Sequence, residues 1–457
     1  MEGSELRDRW KMSADRDMFK VAKILMISGG TWKLKMTKSK RLQFFYSLYS
    51  VVVQVLYASG PPSLLISLVY LFQTDIAKAI ENISRLIVVT LQVLKVLLCQ
   101  SEGVVRIFSS AVREQVDIYR QRDGVICKIY RDHVNYCKWT TTPVAVLFLL
   151  SGMFLSEIGI ETTYKFEQLQ RRSNETLELP LTVPFWYPFD QNEHHLAALL
   201  FQVFQSQFTA LYCAVTQAYY NSIFIFVRAQ LKILQHNFRN FDDRCEASGQ
   251  ISENFTLTAL KKLCLKHQNL IRSVEELNDS LKSIMLLEYS VTSILLAALL
   301  FQIMAQIGVA FNIFVFFILS CQLMAMAWNC NEIIIQSTGL ASALYESRWY
   351  EHSQQVKRIV QVMVLRCQMP LNLTIGPFGP MTANDGLSVS HECLAKHLRF
   401  FVFYGRRKIF LLTLLPIDLP STRKNSGEFS QKFTYYKCLF YILFFNEDFK
   451  CYFCSSV

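Results

Sequence analysis

Long uncharged stretches, separated by shorter charged segments, set the hydrophobic pattern of the chain. The longest extends from Tyr289 to Asn331 and has 43 residues without Asp, Glu, Lys, Arg or His. A single helix of that length would be about 65 Å long, twice the thickness of the hydrocarbon core of a bilayer. We therefore expect this stretch to turn back near Gln306 to Gly308 and to cross a membrane twice.

Four more stretches predict membrane spans, which brings the total to six. Three of them carry no Asp, Glu, Lys or Arg: Leu42 to Phe72, which is interrupted at Gly60, Pro61 and Pro62, then Trp139 to Ser156, and Leu196 to Val227. The fourth, Ile76 to Leu98, is a weaker candidate because it contains Lys78, Glu81, Arg85 and Lys95. Charges at that depth are costly unless they face protein, water or a cavity, so we expect these to point away from lipid.

Helical periodicity continues beyond the charge-free stretch at both ends. Before it, seam positions that are apolar except for one histidine repeat about every 3.5 residues, as in a helix that begins in water and leads into the fifth span. These positions are Leu260, Leu263, His267, Leu270, Val274, Leu277, Leu281 and Ile284. After Trp328, charged and apolar residues mix at helical spacing, which indicates an amphipathic extension of the sixth span. Pro370 and the turn from Gly376 to Pro380 should end it.

Basic residues are distributed unevenly among the segments that join the spans. Residues 1–41 hold eleven Lys or Arg, the segments after spans two and four hold seven each, and the segment after span six holds four. The alternate segments hold one, three and none. By the positive-inside rule the N-terminus is cytoplasmic. We then expect residues 159–194 to form a polar loop outside the cell, in which the sequon at Asn174 is glycosylated, and the sequons at Asn254 and Asn278 to lie inside.

Composition excludes several classes of protein. Hydrophobic residues make up 52% of the chain and charged residues 18%, which is unusual for a soluble domain. The net charge of +11 comes from basic residues between apolar runs, not from a patch with interleaved aromatics, so we expect no nucleic-acid partner. The 13 cysteines are scattered and do not predict a disulfide framework.

Short motifs around the sixth span carry a family resemblance. They are Trp328-Asn329, Gln336-Ser337, Ala343 to Tyr345, Trp349, Arg366 to Leu371 and Gly376 to Thr382. Together they resemble the C-terminal signature of insect odorant receptors, and Pro184 to Asp190 and Cys264 to Gln268 resemble two other motifs of that family. The resemblance covers roughly residues 15 to 384. It implies an all-α membrane protein with the seven-transmembrane insect odorant receptor fold, a cytoplasmic N-terminus and cytoplasmic anchor helices.

The same resemblance implies a function. The chain would be a ligand-tuned subunit of an odorant-gated, non-selective cation channel. It would bind volatile odorants and assemble with an odorant co-receptor as a hetero-tetramer, in the plasma membrane of olfactory sensory neuron dendrites. The segment between spans four and five lacks the long cytoplasmic insertion of the co-receptor, which favours the ligand-tuned type. The residues expected at the subunit anchor are Cys264, His267, Tyr345, Trp349 and Pro370.

Two other receptor classes remain as alternatives, a seven-helix G-protein-coupled receptor and a gustatory-type receptor channel. A cytoplasmic N-terminus argues against the first, and the sequence has neither an Asp-Arg-Tyr nor an Asn-Pro-x-x-Tyr signature.

The expected organisation is a cytoplasmic segment over 1–41, spans one to four over 42–227, a cytoplasmic segment leading into span five over 228–288, spans five and six over 289–331, the anchor helix and turn over 332–380, and a divergent tail over 381–457.

A site for an odorant should be apolar and aromatic with few polar groups, because odorants are small and apolar. The outer halves of three spans supply such residues. They are Phe154 and Ile158 on span three, Phe201, Phe204, Gln205, Phe208 and Tyr212 on span four, and Phe311 and Phe314 on span six. For each of them, contact with lipid or ordinary core packing is the alternative interpretation.

The sequence offers little for an enzyme or a metal site. It has no Gly-rich phosphate loop, HExxH or Gly-x-Ser-x-Gly motif, so we expect no enzyme activity, no cofactor and no metal. His194 and His195 lie beside Glu193 at a membrane boundary, where polar residues are expected anyway. Cys451 and Cys454 form a lone CxxC pair, which is weak evidence for a metal. A transporter would show repeated halves, which the chain lacks.

The resemblance ends after Thr382. The family continues into an uncharged, pore-lining helix, whereas the apolar pieces beyond Asp385 are too short to span a bilayer. They are Phe400 to Tyr404, Ile409 to Ile417 and Cys438 to Phe445. We therefore predict that the last, pore-lining helix is atypical or missing, for example because the end is mis-spliced. If this end is genuine, we also predict that the chain as written forms no conducting pore.

Overall fold

The protein is a helical bundle in the part of the chain that its computed structural model describes, namely residues 16–32, 39–74, 76–121, 123–172, 183–191, 193–241, 253–304, 309–377 and 379–382. Ten α-helices lie within these residues. They are α1 Lys20–Ser28, α2 Lys40–Ala58, α3 Gly60–Thr74, α4 Ile76–Cys99, α5 Glu102–Arg120, α6 Gly124–Arg172, α7 His195–Arg239, α8 Glu253–Met304, α9 Val309–Tyr345 and α10 Gln354–Cys367. A 3-10 turn, Trp349–Glu351, joins α9 to α10.

Six stretches among the described helices are long and apolar enough to cross a membrane, which confirms the six predicted spans. The first span consists of α2 and α3, and the helix is interrupted at Ser59. The break falls where Pro61 and Pro62 follow, because a proline has no backbone N–H to donate to the preceding turn. The predicted interruption of this span is therefore confirmed.

Helix α7 lies at the centre of the bundle. Every residue from Ala214 to Val227 is buried, although the helix carries no charge there that could explain burial by pairing. An uncharged helix that is buried on all sides must be surrounded by other helices. The core of the protein is accordingly built around the inner half of span four, with α1, α4, α6, α8 and α9 packed against it.

The fifth and sixth spans form an antiparallel pair, as the length of the charge-free stretch predicts. The side-chain amide of Asn312 on α9 donates to Gln302 Oε1 on α8 at 3.0 Å. Ten residues further along α9, Gln322 donates to Glu288. The first contact joins residues near the facing ends of the two helices, and the second joins residues farther from both ends, so the helices run in opposite directions. Residues 305–308, between the two helices, lie outside the described residues.

Helix α8 contains the predicted seam. Of its eight positions, seven are buried, and Leu270 is half-buried. The seam continues from the polar first half of the helix into the fifth span without interruption, as one helix of 52 residues. The predicted seam and its continuity with the fifth span are therefore confirmed, and the position of the first half of the helix in water stays a prediction.

Helix α6 is longer than predicted. A loop was expected over 159–194, but the helix continues to Arg172. Phe166 is buried there, and Lys165 forms an ion pair with Glu161 one turn earlier at 2.6 Å. Ion pairs at this spacing stabilise a helix in water, and a span-length count of uncharged residues overlooks them. The expected loop is thus wrong in its first fourteen residues, 159–172.

Helix α1 was not predicted. Lys23 interrupts the apolar stretch from Val21 to Ile27, so the sequence has no apolar run longer than a few residues there. In the structure Phe19 and Ala22 are fully buried, and the Lys23 ammonium lies 2.7 Å from Asp17 Oδ2. Asp17 also accepts a hydrogen bond from Gln115 on α5 at 3.0 Å. Because the charge is paired, Lys23 is compatible with a buried helix.

The turn after α10 ends regular structure where the prolines and glycines predict it. Thr374 and Pro380 form an isolated antiparallel bridge. Gly376 and Gly379 have φ values of 56° and 110°, a backbone region in which a side chain would be strained. We refer to residues 374–380, of which 378 is not described, as the anchor turn.

Candidate ligand site and subunit anchor

A group of apolar residues between the first, second and fourth spans contains several of the predicted ligand residues. We call it the aromatic cluster. Its buried members are Val53, Tyr57, Leu64, Val89, Val96, Val183, Phe185 and Tyr212, and its half-buried members are Leu86, Val93, Tyr187, Phe201, Phe204 and Phe208. It is built by α2, α3, α4, α7 and the segment 183–190.

Helix α7 supplies four of the nine predicted ligand residues to the cluster. Phe201, Phe204, Phe208 and Tyr212 recur three or four residues apart, which places them on one face of the helix. The rings of Phe204 and Phe208 lie 4.4 Å apart, and those of Phe208 and Tyr212 lie 5.9 Å apart. Helical spacing alone is enough to align these four side chains, so their common face could be predicted from the sequence.

The segment 183–190 covers one end of the cluster. The ring of Phe185 meets that of Phe201 edge-on at 5.2 Å, and Tyr187 meets Phe201 at 5.9 Å. Ser63 on α3 holds the segment, because its hydroxyl donates to the Trp186 carbonyl at 2.7 Å and its own carbonyl accepts from the Trp186 N–H at 3.3 Å. Phe185 and Tyr187 were not among the predicted ligand residues, although the motif Pro184 to Asp190 had been singled out.

The other predicted ligand residues lie elsewhere. Phe154 on α6 and Phe311 on α9 stack in parallel, with ring centres 5.6 Å apart and planes 8° apart. Phe314 packs against the main core around α7, and Ile158 is half-buried. Gln205 is buried and donates to the Leu56 carbonyl at 3.0 Å. The structure therefore brings four of the nine residues together in the aromatic cluster and forms a separate pair from two others.

Gln205 has a structural partner beside the break between α2 and α3. A Cβ atom added at Gly60 would lie 2.9 Å from Gln205 Oε1, closer than real contacts allow. Only glycine lets the amide approach the helix break this closely. The hydrogen bond from Gln205 to Leu56 therefore joins α7 to the first span beside its helix break.

Polar groups are few in the aromatic cluster, and one of them is unpaired. The hydroxyls of Tyr57 and Thr209 lie 3.3 Å apart, within hydrogen-bond distance. The Tyr212 hydroxyl is buried and has no hydrogen-bond partner among the described residues, while its ring meets that of Tyr57 edge-on at 4.7 Å. An unpaired buried hydroxyl costs about 1 to 3 kcal/mol, so a ligand that pairs with it would gain affinity.

The predicted anchor residues divide into packed and exposed ones. His267 is only 4% exposed, and its ring lies edge-on to Phe238, with the centres 6.0 Å apart. Cys264 and Trp349 are half-buried against the main core. Tyr345 is 73% exposed, and Pro370 is exposed as well. His267 thus packs between helices, as the seam position predicts, whereas Tyr345 and Pro370 are free to contact another chain.

Helix α10 has two apolar faces. One is buried in the protein and consists of Val356, Val360, Met363 and Cys367. Burial raises the pKa of the Cys367 thiol to about 11. The other, which we call the outer face, consists of Val362 and Leu365 on the helix and Met369 just after its end, each 63 to 67% exposed. Apolar residues grouped on a surface commonly mark an interface with another molecule.

The residues weighed for a metal have other surroundings or are not described. His195 Nε2 lies 2.8 Å from Glu167 Oε1, so the ring pairs with a carboxylate across the ends of α6 and α7. Cys451 and Cys454 lie outside the described residues, as does the sequon asparagine Asn174. The predicted replacement of the pore-lining helix also falls outside them and stays a prediction.

Similarity to known proteins agrees with this architecture. Residues 75–384 match the family model described as 7tm Odorant receptor. The chain is 32% identical over 170 residues to Odorant receptor 10 of Aedes albopictus, covering 36% of this chain and 44% of the relative. It is 33% identical over 133 residues to Odorant receptor Or2 of Anopheles gambiae, covering 28% and 35%. The match spans less than half the length of these two relatives.

A solved structure shares the fold. The insect olfactory receptor OR5 from Machilis hrabei superposes with a TM-score of 0.68 at 16% identity, over 84% of this chain and 97% of that one. Its complex with eugenol gives a TM-score of 0.66. The family match favours an odorant receptor over the G-protein-coupled alternative, and the family is not one of enzymes. With more than half of its length matched by the family model, the chain belongs to the odorant receptor family.

Proposed function

We propose that the protein is a ligand-tuned subunit of an odorant-gated, non-selective cation channel. Its membership of the odorant receptor family supports the receptor role. The observation that carries the proposal is the aromatic cluster, which combines a row of aromatic rings on α7 with a covering segment and the Tyr212 hydroxyl, which is unpaired within the described part of the chain. No enzymatic reaction is part of the proposed function.

The proposed ligand is a volatile, mainly apolar molecule with one polar group. Aromatic and aliphatic side chains of the aromatic cluster suit an apolar body, and the Tyr212 hydroxyl suits a single hydrogen-bonding group. The structure of the relative OR5 with eugenol is consistent with a ligand of this size and chemistry. We include the stacked pair Phe154 and Phe311 as a second candidate contact surface, because its rings face each other from two spans.

The proposed partner is an odorant co-receptor, in a hetero-tetramer at the plasma membrane of olfactory sensory neuron dendrites. The outer face of α10 supports this proposal, because Val362 and Leu365 on the helix and Met369 just after it are exposed, while the opposite face of the helix is buried. Tyr345 extends the exposed apolar surface from the end of α9. The cytoplasmic location of this anchor follows from the distribution of basic residues.

Ligand binding can be tested independently of conduction, which matters because the tail of the chain is predicted not to form a pore. The purified full chain in lipid nanodiscs is screened with a panel of volatile compounds for an increase in Tm. The best compound is then titrated against Phe204→Ala, Phe208→Ala and Phe314→Ala. Loss of aromatic contact area at a cluster position should weaken binding by about tenfold, on the order of 1.4 kcal/mol.

A matched control is available on α9. Phe317 is 57% exposed, so Phe317→Ala removes the same ring from a position that faces away from the bundle. It should leave binding unchanged. Unaltered affinity in Phe204→Ala and Phe208→Ala would show that the aromatic cluster is not the ligand site, and a change in Phe314→Ala alone would move the site to the sixth span.

A further inference from the structure

A buried ion pair joins three of the membrane spans. Lys95 on α4 pairs with Glu288 on α8, and their side chains are 8% and 2% exposed. Gln322 on α9 donates to the same carboxylate. Lys95 is one of the four charges that the sequence places in the second span, and here it faces the interior of the bundle.

Stability is a poor explanation for this pair. Removing two charges from water costs about as much as their attraction returns, and apolar pairs of similar size often replace buried ion pairs without loss. Ionisable residues within membrane spans are uncommon, and they usually serve a function inside the bundle. Lys95 and Glu288 therefore need a role that depends on where they lie.

On one side, the pair is adjacent to the aromatic cluster. Val96, the neighbour of Lys95 in the chain, is a buried member of the cluster, as is Val89 two turns earlier on α4. Gln92 on the same helix accepts a hydrogen bond from the Cys213 thiol at 3.4 Å. A ligand that displaces α4 at the cluster must therefore displace Lys95 too, because a helix moves as a rigid unit over two turns.

On the other side, the helix that carries Glu288 holds the anchor turn. The Lys282 carbonyl of α8 accepts from the Gly376 N–H at 3.1 Å. Asn278 Oδ1 accepts from the Thr374 N–H at 2.8 Å and from its hydroxyl at 3.1 Å. Lys282 lies six residues before Glu288, about 9 Å along the helix.

Glycine at position 376 keeps this contact close. A Cβ atom there would lie 3.0 Å from Leu286 Cδ2, so the turn rests directly on α8 two residues before Glu288. The backbone at Gly376 has a φ of 56°, which favours glycine for a second reason. A shift or rotation of α8 would thus be transferred to the anchor turn.

We propose that the contact of Lys95 with Glu288 and Gln322 transmits occupation of the aromatic cluster to the anchor turn, with Lys95 and Glu288 as positioning residues. The proposal rests on the proposed function for its ligand, but the mechanical link between the pair and the turn does not. The link predicts that a change on α4 or α8 at the pair alters how tightly residues 374–377 are held, although neither Lys95 nor Glu288 belongs to that turn.

The first measurement is hydrogen–deuterium exchange of the peptide spanning 371–382, in the full chain in lipid nanodiscs without ligand. Glu288→Gln leaves the Lys95 ammonium unpaired and should speed exchange at the Thr374 and Gly376 amides by about tenfold. The exchanged pair Lys95→Glu with Glu288→Lys should restore slow exchange. Lys165→Gln, which breaks the exposed pair with Glu161, is the control and should change nothing.

The second measurement adds the panel compound that most raises the Tm of the wild-type chain. It should alter exchange at 371–382 in the wild-type chain and in the exchanged pair. In Lys95→Met with Glu288→Leu, which removes both charges and keeps the packing, the compound should still bind and raise the Tm but should no longer alter the turn.

Each outcome decides the proposal. Unchanged exchange in Glu288→Gln, or failure of the exchanged pair to restore it, would overturn the link. If the compound still alters the turn in Lys95→Met with Glu288→Leu, the pair does not transmit occupation. If no compound of the panel binds the wild-type chain, the proposed ligand class fails, and the ligand-free comparison alone then supports or overturns the link.

Discussion

The aromatic cluster and the anchor differ in how completely their residues are packed. On α7, three of the four cluster rings, those of Phe201, Phe204 and Phe208, are only half-buried. In the anchor core, by which we mean the seam of α8 with the buried faces of α9 and α10, residues such as Leu281, Leu340 and Val360 are at most 1% exposed. Regions that bind ligands are generally drawn from the less stable parts of a protein, and closely packed regions transmit displacement.

The largest effect is expected from a charge in the anchor core. Val360→Asp places a carboxylate where the side chain is 1% exposed, and no described cation lies in the buried face of α10 to pair with it. An unpaired buried charge destabilises by about 3 to 5 kcal/mol, so the variant should not be recovered as a monodisperse protein. Size-exclusion chromatography in detergent measures this.

The neighbouring residue supplies the control for that change. Gln361→Asp introduces the same side chain at an exposed position of α10 and should elute like the wild-type chain. If Val360→Asp were also monodisperse with an unchanged Tm, the anchor core would not be the rigid part of the molecule, and the contrast with the aromatic cluster would be lost.

Substitutions on the outer face of α10 should have a smaller effect on folding than Val360→Asp. They should have a large effect on assembly with the co-receptor. Val362→Asp with Leu365→Asp changes two residues that are 66% and 63% exposed, so the Tm of the isolated chain should hardly change. Capture of the tagged co-receptor with this chain from co-expressing cells should fall by at least about tenfold, because charges are disfavoured in the core of an interface.

Here too, Gln361→Asp serves as the control and should assemble normally. Full capture of the co-receptor by the double variant would place the interface on another surface, for example around Tyr345, and would leave α10 as a purely internal element of the anchor.

The smallest effects are expected from two hydroxyls within the aromatic cluster. Tyr57→Phe removes a hydrogen bond to Thr209 and should destabilise by about 0.5 to 1.5 kcal/mol. Tyr212→Phe removes a hydroxyl that has no partner among the described residues, so it should leave the Tm unchanged or raise it slightly.

In ligand binding, the variant with the larger effect should be Tyr212→Phe, whereas in stability it should be Tyr57→Phe. Only Tyr212→Phe should weaken a panel compound that carries a hydrogen-bonding group, and neither should affect a purely apolar one. Thermal unfolding with and without each compound measures both quantities. Destabilisation by Tyr212→Phe in the absence of ligand would mean that its hydroxyl is already paired in the protein.

Periodicity in the chain was sufficient for most of the fold. Uncharged length predicted the spans and the reversal near 306–308, and the seam of α8 predicted which side of that helix is buried. It failed where a helix is stabilised by charges that find partners. Lys23 is paired with Asp17 in α1, and Lys165 with Glu161 in the extension of α6. A sequence shows such charges but not their partners.

The site was predictable only in part, for a related reason. Phe201, Phe204, Phe208 and Tyr212 share a face through helical spacing, which a sequence contains. Whether that face meets α4 or α9 depends on how helix α7 is rotated, and this is decided by packing against other helices. Phe154, Phe311 and Phe314 are of the same residue type as most cluster rings on α7, but they pack against other residues.

The sequence by itself determined that the described part holds six stretches long and apolar enough to cross a membrane, because the transfer of apolar and charged side chains between water and hydrocarbon depends on composition and length. Only the tertiary structure decided that Lys95 meets Glu288, that Asn278 and Lys282 hold the anchor turn, and that the Tyr212 hydroxyl has no hydrogen-bond partner among the described residues. These contacts join residues far apart in the chain, and their formation depends on helix rotation and close packing, which local periodicity does not specify.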